Sequence, residues 1–356
     1  MGMLIDGLWT EEDRIIKDGA FVRQASVYHA ALGSELLEAI AAQAGRFHLI
    51  ASWSCPWSHR TMLLRTLKGL QQHIPLHITG GKRVEGYPAN SGHSWRVPGS
   101  NRQIVHLHQL YRLSDPAYSG RVTVPVLWDS QEQRIVSNES GMIIRAFDAV
   151  RLDGRASTTA SPPVALSATD FSLVPARLVA EIDELNLRIY QNLANATYRA
   201  GFAQSQSAYD AAVESVFSTL DWLEQRLAGQ RFLLGEAITE ADWLLFPTLV
   251  RFDVDYFIHS RCSRRRLLEY PHLWAYARDL FSWPGVADTV RFEAIHMSNV
   301  AENALVPAMP DADWSAPHER AALGPAKVFL RSGAAVRVEP GSGEHSGRRR
   351  CSGWRE

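Results

Sequence analysis

The chain has 356 residues, more than one ordinary core accommodates, and this length suggests two domains. Hydrophobic residues make up 46%, charged residues 21% and the formal net charge is -1, so nothing in the balance points to nucleic acid or to an anionic membrane surface. Cys55, Cys262 and Cys351 are the only cysteines, too sparse and odd a set for a secreted disulfide framework, and they fit a reducing compartment.

The first ten residues are followed at once by Glu11, Glu12 and Asp13, without a basic stretch or a sustained apolar run. No signal peptide is therefore expected, no segment is long and apolar enough to span a bilayer, and the expected location is the cytoplasm. Residues 1–45 show no clear period and read as an N-terminal extension. Phe47-His48-Leu49-Ile50-Ala51 is a short strand signal that runs through Ser52-Trp53-Ser54-Cys55 into Pro56. A proline is well placed in the first turn of a helix, where its missing N–H has no partner to lose. Leu63, Leu64, Leu67 and Leu70 follow at helical spacing, with Gly69 near the end, and Leu76-His77-Ile78 reads as a second strand. From Gly80 to Gly120 the chain turns polar and rich in Gly, Pro and Ser, a loop of the length that is usually functional or disordered. Val122 to Trp128 reads as a strand, Gln131-Glu132-Gln133 as a turn and Arg134-Ile135-Val136 as the returning strand. Asn138 is placed to cap a helix from Glu139 to about Phe147. Strand, helix, strand, then hairpin and helix, is the thioredoxin layout, so 46–150 is expected to be an α/β thioredoxin-like domain.

Residues 151–168 are a polar Ser/Thr/Ala/Pro linker, and helical patterns follow it. Leu178, Ile182, Leu185 and Ile189 share one face, and Val213, Phe217, Leu220, Leu223 and Leu227 share another. Thr239-Glu240-Ala241-Asp242 is a capping-box variant, with Ile238 and Trp243 placed as a hydrophobic staple. The expectation for 169–331 is an all-α domain, and for the Gly-, Ser- and Arg-rich tail 332–356 an absence of regular structure.

Three places carry chemistry. Cys55 sits at a strand-to-helix junction, where backbone N–H groups and the helix dipole stabilise a thiolate. Ser58 stands where a dithiol protein would carry a second cysteine, so a mixed disulfide at Cys55 needs an external thiol to resolve it. The plainer reading is a buried structural cysteine beside a cap. Val124-Pro125 is either an edge-strand proline or a cis bond that offers the Val124 backbone to an extended peptide. Glu139-Ser140 opens a helix, where the Ser140 N–H and hydroxyl suit a peptide carboxylate and Glu139 an ammonium. An ordinary acidic first turn would look the same. Cys262 lies in a basic run that reads as solvated surface, and Cys351 has no comparable context.

Together these residues resemble glutathione transferases of the cysteine type, and the wider pattern is similar to the Xi class, the glutathionyl-hydroquinone reductases. The carrying stretches are Ser54-Cys55-Pro56-Trp57-Ser58-His59-Arg60, Leu67-Lys68-Gly69-Leu70, Arg121 through Asp129, Asn138-Glu139-Ser140 and Ile143-Ile144-Arg145. Further along they are Ala200-Gly201-Phe202-Ala203-Gln204, Leu249 through Asp253, Tyr270-Pro271-His272-Leu273 and Pro284-Gly285-Val286, so the resemblance covers about 20 to 325. It implies the cytosolic glutathione transferase fold, glutathione as co-substrate, no metal, and a homodimer joined through the helical domains. It implies Cys55 as nucleophile, Trp95 as the loop tryptophan over glutathione, and Val124 as holder of the cysteinyl backbone. Glu139 and Ser140 would hold the γ-glutamyl end with help from Arg121, and Tyr198 and Tyr256 would line the hydroquinone pocket. Without the family, the two tyrosines read as helix-packing aromatics. Ser94 stands where the family usually has a Gly, Asn299 where a third pocket tyrosine is expected, and Asp255-Tyr256-Phe257-Ile258-His259 is slightly altered. The implied activity is cleavage of glutathionyl-hydroquinones. An omega-like thioltransferase or dehydroascorbate reductase, or a non-catalytic glutathione-binding protein, are the rival readings.

Overall fold

A computed structural model describes residues 2–11, 15–29, 32–152, 171–299 and 305–338. They fall into two compact units, Met1–Lys17 with Val22–Ser157 and Asp18–Phe21 with Thr158–Glu356.

The first unit is built on a four-stranded sheet in the order Arg134–Ser137, Val126–Asp129, Phe47–Ala51, Leu76–Ile78. Val126–Asp129 runs antiparallel to both its neighbours, while Phe47–Ala51 and Leu76–Ile78 are parallel. The two central strands are apolar and almost wholly buried, as strands covered on both faces must be. Helices Pro56–Leu67 and Ser140–Ala149 pack on each other, burying Leu63, Leu64, Ile143, Ile144 and Phe147. Between them lies a buried ion pair, Lys68 Nζ to Asp148 Oδ1 at 3.2 Å. This is the mixed strand-and-helix layout expected of the unit.

Local detail departs from expectation in four places. The N-terminal stretch is not structureless: Met3–Ile5 and Leu8–Thr10 form a hairpin, and Met3–Leu4 also pairs with Gly120–Arg121. The turn is Asp6-Gly7, with φ of 48° and 75°. A two-residue turn with both φ positive is the one Asp-Gly favours, and strands this short carry too little alternation to be seen as a period. Ser34–Ala42 adds a helix. The stretch 80–120 is not one loop, for it holds a hairpin of Trp95–Arg96 with Gln103–Ile104 and the helix Leu107–Ser114. Val122–Trp128 is not one strand: the ladder begins at Val126, directly after a cis Val124–Pro125 bond. Finally, Glu139 and not Asn138 caps the next helix. Asn138 is drawn elsewhere, accepting from the Tyr28 N–H at 3.1 Å and donating to the Tyr111 hydroxyl at 3.2 Å.

The second unit is mainly helical, with Val179–Ile189, Asn195–Phe202, Gln206–Ala228, Glu240–Arg251 and Pro271–Phe281 as its longer helices. The predicted capping box is present at Thr239 and Asp242. One Asp242 oxygen accepts from the Thr239 N–H at 2.8 Å; the other accepts from the Leu233 N–H at 2.9 Å and the Tyr276 hydroxyl at 2.8 Å. Strands Phe171–Ser172, Lys327–Leu330 and Ala335–Arg337 form a small antiparallel sheet, which the all-α expectation did not include. Regular structure therefore continues past Ser332, and the rest of the tail, with Cys351, lies outside the described residues. Among the described residues no helix is long and apolar enough to cross a membrane.

Candidate functional site

Cys55 is the N-cap of the Pro56–Leu67 helix, with extended backbone at φ -83° and ψ 121°. The strand Phe47–Ala51 delivers it there, and Pro56 opens the helix at once. Its sulfur accepts from the Ser58 N–H at 3.5 Å and lies 3.6 Å from the Val124 carbonyl oxygen. An amide proton and the N-terminal end of a helix therefore converge on the sulfur. The side chain is buried but not sealed, at 8% exposure.

Val124 is fixed by Tyr111, whose hydroxyl donates to the Thr123 carbonyl at 2.8 Å and accepts from the Thr123 N–H at 3.3 Å. The same hydroxyl accepts from Asn138, so the Val124 loop and the start of the Ser140–Ala149 helix share one buried anchor. At that helix the Glu139 carboxylate is held at both oxygens: Oε1 accepts from the Gly141 N–H at 3.2 Å and Oε2 from the Ser26 hydroxyl at 2.9 Å. Ser140 is the first residue of the helix, and it is buried.

The surroundings of Cys55 are aromatic and cationic. The Trp57 ring carries the guanidinium of Arg60 at 4.4 Å and that of Arg23 at 4.9 Å. Tyr87 packs against the same hydrophobic cluster that contains Cys55 and Val124. Its position is set by the Leu107 N–H, which donates to the Tyr87 carbonyl at 2.8 Å, and by Arg83 over its ring at 4.2 Å. The side chain is half-buried. Burial pushes the phenol up to about 12; Arg83 opposes this, Cys55 adds to it, and Arg121 and Arg23 oppose it. Tyr87 therefore stays protonated at neutral pH.

Arg121 lies in the short strand paired with Met3, and its carbonyl accepts from the Tyr118 hydroxyl at 3.0 Å. Trp95 sits in its hairpin with its ring edge-on to His77 at 5.2 Å, and also packs on the cluster that contains Cys55. His77 faces His48, with nitrogens 2.9 Å apart. Burial, then His48 and Arg65, hold His77 down at about 4, so it is neutral at neutral pH.

In the second unit Tyr198 and Tyr256 lie edge-to-face, with centroids 6.2 Å apart and planes at 60°. Tyr198 also neighbours Phe21 and Phe202. Tyr256 ends a π-helical turn, Phe252–Tyr256, that continues the Glu240–Arg251 helix. Asn299 closes the short turn Met297–Asn299. Cys262 is a correction: it is not on a solvated basic surface but wholly buried, and burial pushes its thiol up to about 12. The basic side chains around it turn outward onto other partners, Arg264 to Glu214 and Arg265 over Tyr270. Among the described residues no group of three or more His, Cys, Asp or Glu is placed to hold a metal ion.

Sequence alone does not single out Arg23, Ser26 or Tyr87. The available signal was weak: the long 80–120 insertion for Tyr87, and for Ser26 nothing local.

Comparison with known proteins follows the same division. The glutathione S-transferase N-terminal domain model matches residues 54–150, and the C-terminal domain model matches 206–279. The glutathionyl-hydroquinone reductase PcpF of Sphingobium chlorophenolicum is 40% identical over 297 residues, 82% of this chain and 88% of that protein. The glutathionyl-hydroquinone reductase YqjG of Escherichia coli K12 is 41% identical over 304 residues, 83% of this chain and 89% of that protein. The glutathione-bound structure of YqjG matches with a TM-score of 0.72 at 37% identity, covering 90% of this chain and 99% of that one. A Xi-class glutathione transferase from Natrialba magadii matches with a TM-score of 0.74 at 35% identity, covering 90% and 97%.

Proposed function

The chain belongs to the Xi class of the glutathione S-transferase family, and from that premise we propose that it is a glutathione-dependent reductase of glutathionyl-hydroquinones. The observation that carries the reading is the placement of the Cys55 sulfur, between the Ser58 N–H and the Val124 carbonyl at a helix N-terminus, with Ser58 where a resolving cysteine would stand.

The Cys55 thiolate attacks the glutathione sulfur of the conjugate. A sulfur–sulfur bond forms and the aryl carbon–sulfur bond breaks. The ring carbon keeps the electron pair and takes a proton, and hydroquinone leaves. Cys55 remains as a mixed disulfide. The thiolate of a second glutathione attacks its glutathione sulfur, giving oxidised glutathione and free Cys55 thiolate. Glu139 holds the γ-glutamyl ammonium, the Ser140 N–H and hydroxyl hold its carboxylate, and the Val124 backbone holds the cysteinyl unit. Arg121 assists and Trp95 covers the bound peptide. Tyr198 and Tyr256 serve the hydroquinone end, either of them as hydrogen-bond partner of the ring hydroxyls or as proton donor. The protein works in the cytoplasm as a homodimer.

The test supplies glutathionyl-menadiol and glutathione and follows menadiol release. The parent is expected to turn over and Cys55→Ala to fall to background. No release by the parent, with Cys55-dependent turnover of a small glutathione mixed disulfide, would move the assignment to a general thioltransferase. Silence in both assays would leave a binding protein.

A further inference from the structure

The Glu139 carboxylate is gripped both from its own helix and from outside it. One oxygen is taken by its local cap bond to Gly141; the other accepts from Ser26, 113 positions away in sequence. Ser26 is not a loose surface hydroxyl. Its oxygen is also 3.4 Å from the Asn138 carbonyl, and the His29 ring nitrogen is 2.6 Å from its own carbonyl. Two residues on, Tyr28 is tied down on both sides. The Tyr28 N–H donates to Asn138 Oδ1 at 3.1 Å, and the Tyr28 carbonyl accepts from the Asn138 N–H and the Ser137 hydroxyl, each at 3.1 Å. The Tyr28 ring stacks on Tyr118, with centroids 5.6 Å apart and planes 3° from parallel. At the other end of the segment, Arg23 lies over Trp57, two residues from Cys55. The stretch Arg23–Tyr28 thus runs between the two helix N-termini of the site, and Ser26 is its contact with the anion.

A carboxylate has about four lone-pair directions. Gly141 and Ser26 use one on each oxygen, which fixes the rotation of the group and leaves the remaining directions for a ligand cation. Without the Ser26 bond only the cap bond remains, and the carboxylate is free to turn about it. Resting on the reading of Glu139 as the holder of the γ-glutamyl ammonium, we infer that Ser26 is a positioning residue of the glutathione site, orienting the Glu139 carboxylate toward that ammonium. The N-terminal segment is then part of the binding site, not an appendage.

The role predicts a split that a purely structural one does not. Binding of glutathione and of glutaryl-cysteinyl-glycine, which lacks the ammonium, is measured by calorimetry on the full chain for parent, Ser26→Ala and Ser26→Thr. In the parent, glutathione binds more tightly than the analogue. In Ser26→Ala, the glutathione Kd rises about three- to tenfold, the range of one hydrogen bond, while the analogue Kd stays within twofold. Ser26→Thr, which keeps the hydroxyl, restores the parent value. In menadiol release the same Ser26→Ala raises KM for glutathione and leaves kcat within about twofold. Equal losses for glutathione and the analogue would overturn the inference, as would an unchanged glutathione Kd. A parent that binds no glutathione would overturn the reading of the site together with this inference.

Discussion

The thiol of Cys55 and the thiol of Cys262 differ only in where the chain puts them. Cys55 caps a helix with an amide proton aimed at its sulfur and keeps a sliver of exposure. Cys262 has no exposure, and its thiol is pushed up to about 12, above all by burial. A thiol with that value is fully protonated at neutral pH, and only thiolate reacts. Iodoacetamide at pH 7.5 is therefore expected to label Cys55 and leave Cys262 unmodified, read by peptide mass; labelling of Cys262 in the folded chain would contradict its burial. Tyr87 yields a second prediction at this scale. Its ring packs on the cluster that contains Cys55 and Val124, so Tyr87→Ala strips a packed aromatic from that cluster while Tyr87→Phe keeps the ring. Menadiol release is expected to lose about three- to tenfold in kcat in Tyr87→Ala and to stay within about twofold of the parent in Tyr87→Phe. Sequence shows Cys55 because its neighbours in the chain, Pro56 and Ser58, are the neighbours that matter. It does not show Tyr87, because the charged groups that act on it come from 23, 55, 83 and 121.

At the scale of elements, termini govern. The Glu240–Arg251 helix begins at a capping box whose Asp242 serves three donors besides its own Thr239 hydroxyl. Asp242→Ala would orphan the Leu233 and Thr239 N–H groups and the Tyr276 hydroxyl together. The expected loss is about 2–4 kcal/mol, measured by urea unfolding. The hairpin Val126–Asp129 to Arg134–Ser137 depends on Asp129 in a different way. Burial would raise its pKa, but Arg46 at 2.6 Å and 3.0 Å and the turn N–H groups of Glu132 and Gln131 outweigh it, leaving it below 3.8. The folded value lies below the unfolded one. The stabilisation is therefore fully present above about pH 3.8 and is lost as pH falls through the lower folded value. Arg46→Ala should lower stability at pH 7 and make it fall less steeply below pH 4, and an unchanged acid limb would contradict the assignment. The capping box was legible because it is four consecutive residues with a fixed rule. The Arg46–Asp129 pair was not, since 83 positions separate the partners.

At the scale of the whole molecule, the proposed homodimer predicts sedimentation at twice the chain mass of 39.8 kDa. A monomer at micromolar concentration would remove that part of the proposal while leaving the chemistry at Cys55 untouched.

What the sequence determined by itself is whatever a short window can encode. The Phe47–Ala51 strand, the Cys55-Pro56 helix start, the Glu139-Ser140 helix start and the Thr239–Asp242 cap each rest on residues a few positions apart, where backbone geometry and side-chain reach decide the outcome. Family resemblance extended these into a fold with two parts. The tertiary structure decided which distant groups meet. It took Asn138 from the cap it could have made and gave it to Tyr28 and Tyr111, leaving the cap to Glu139. It brought Ser26 to that carboxylate and Tyr87 to the cluster around Cys55, and sealed Cys262 away. The physical reason is the same in each case. A hydrogen bond or a buried contact takes its energy from proximity in space, and no local pattern in the chain specifies which residue a hundred positions away will supply the partner.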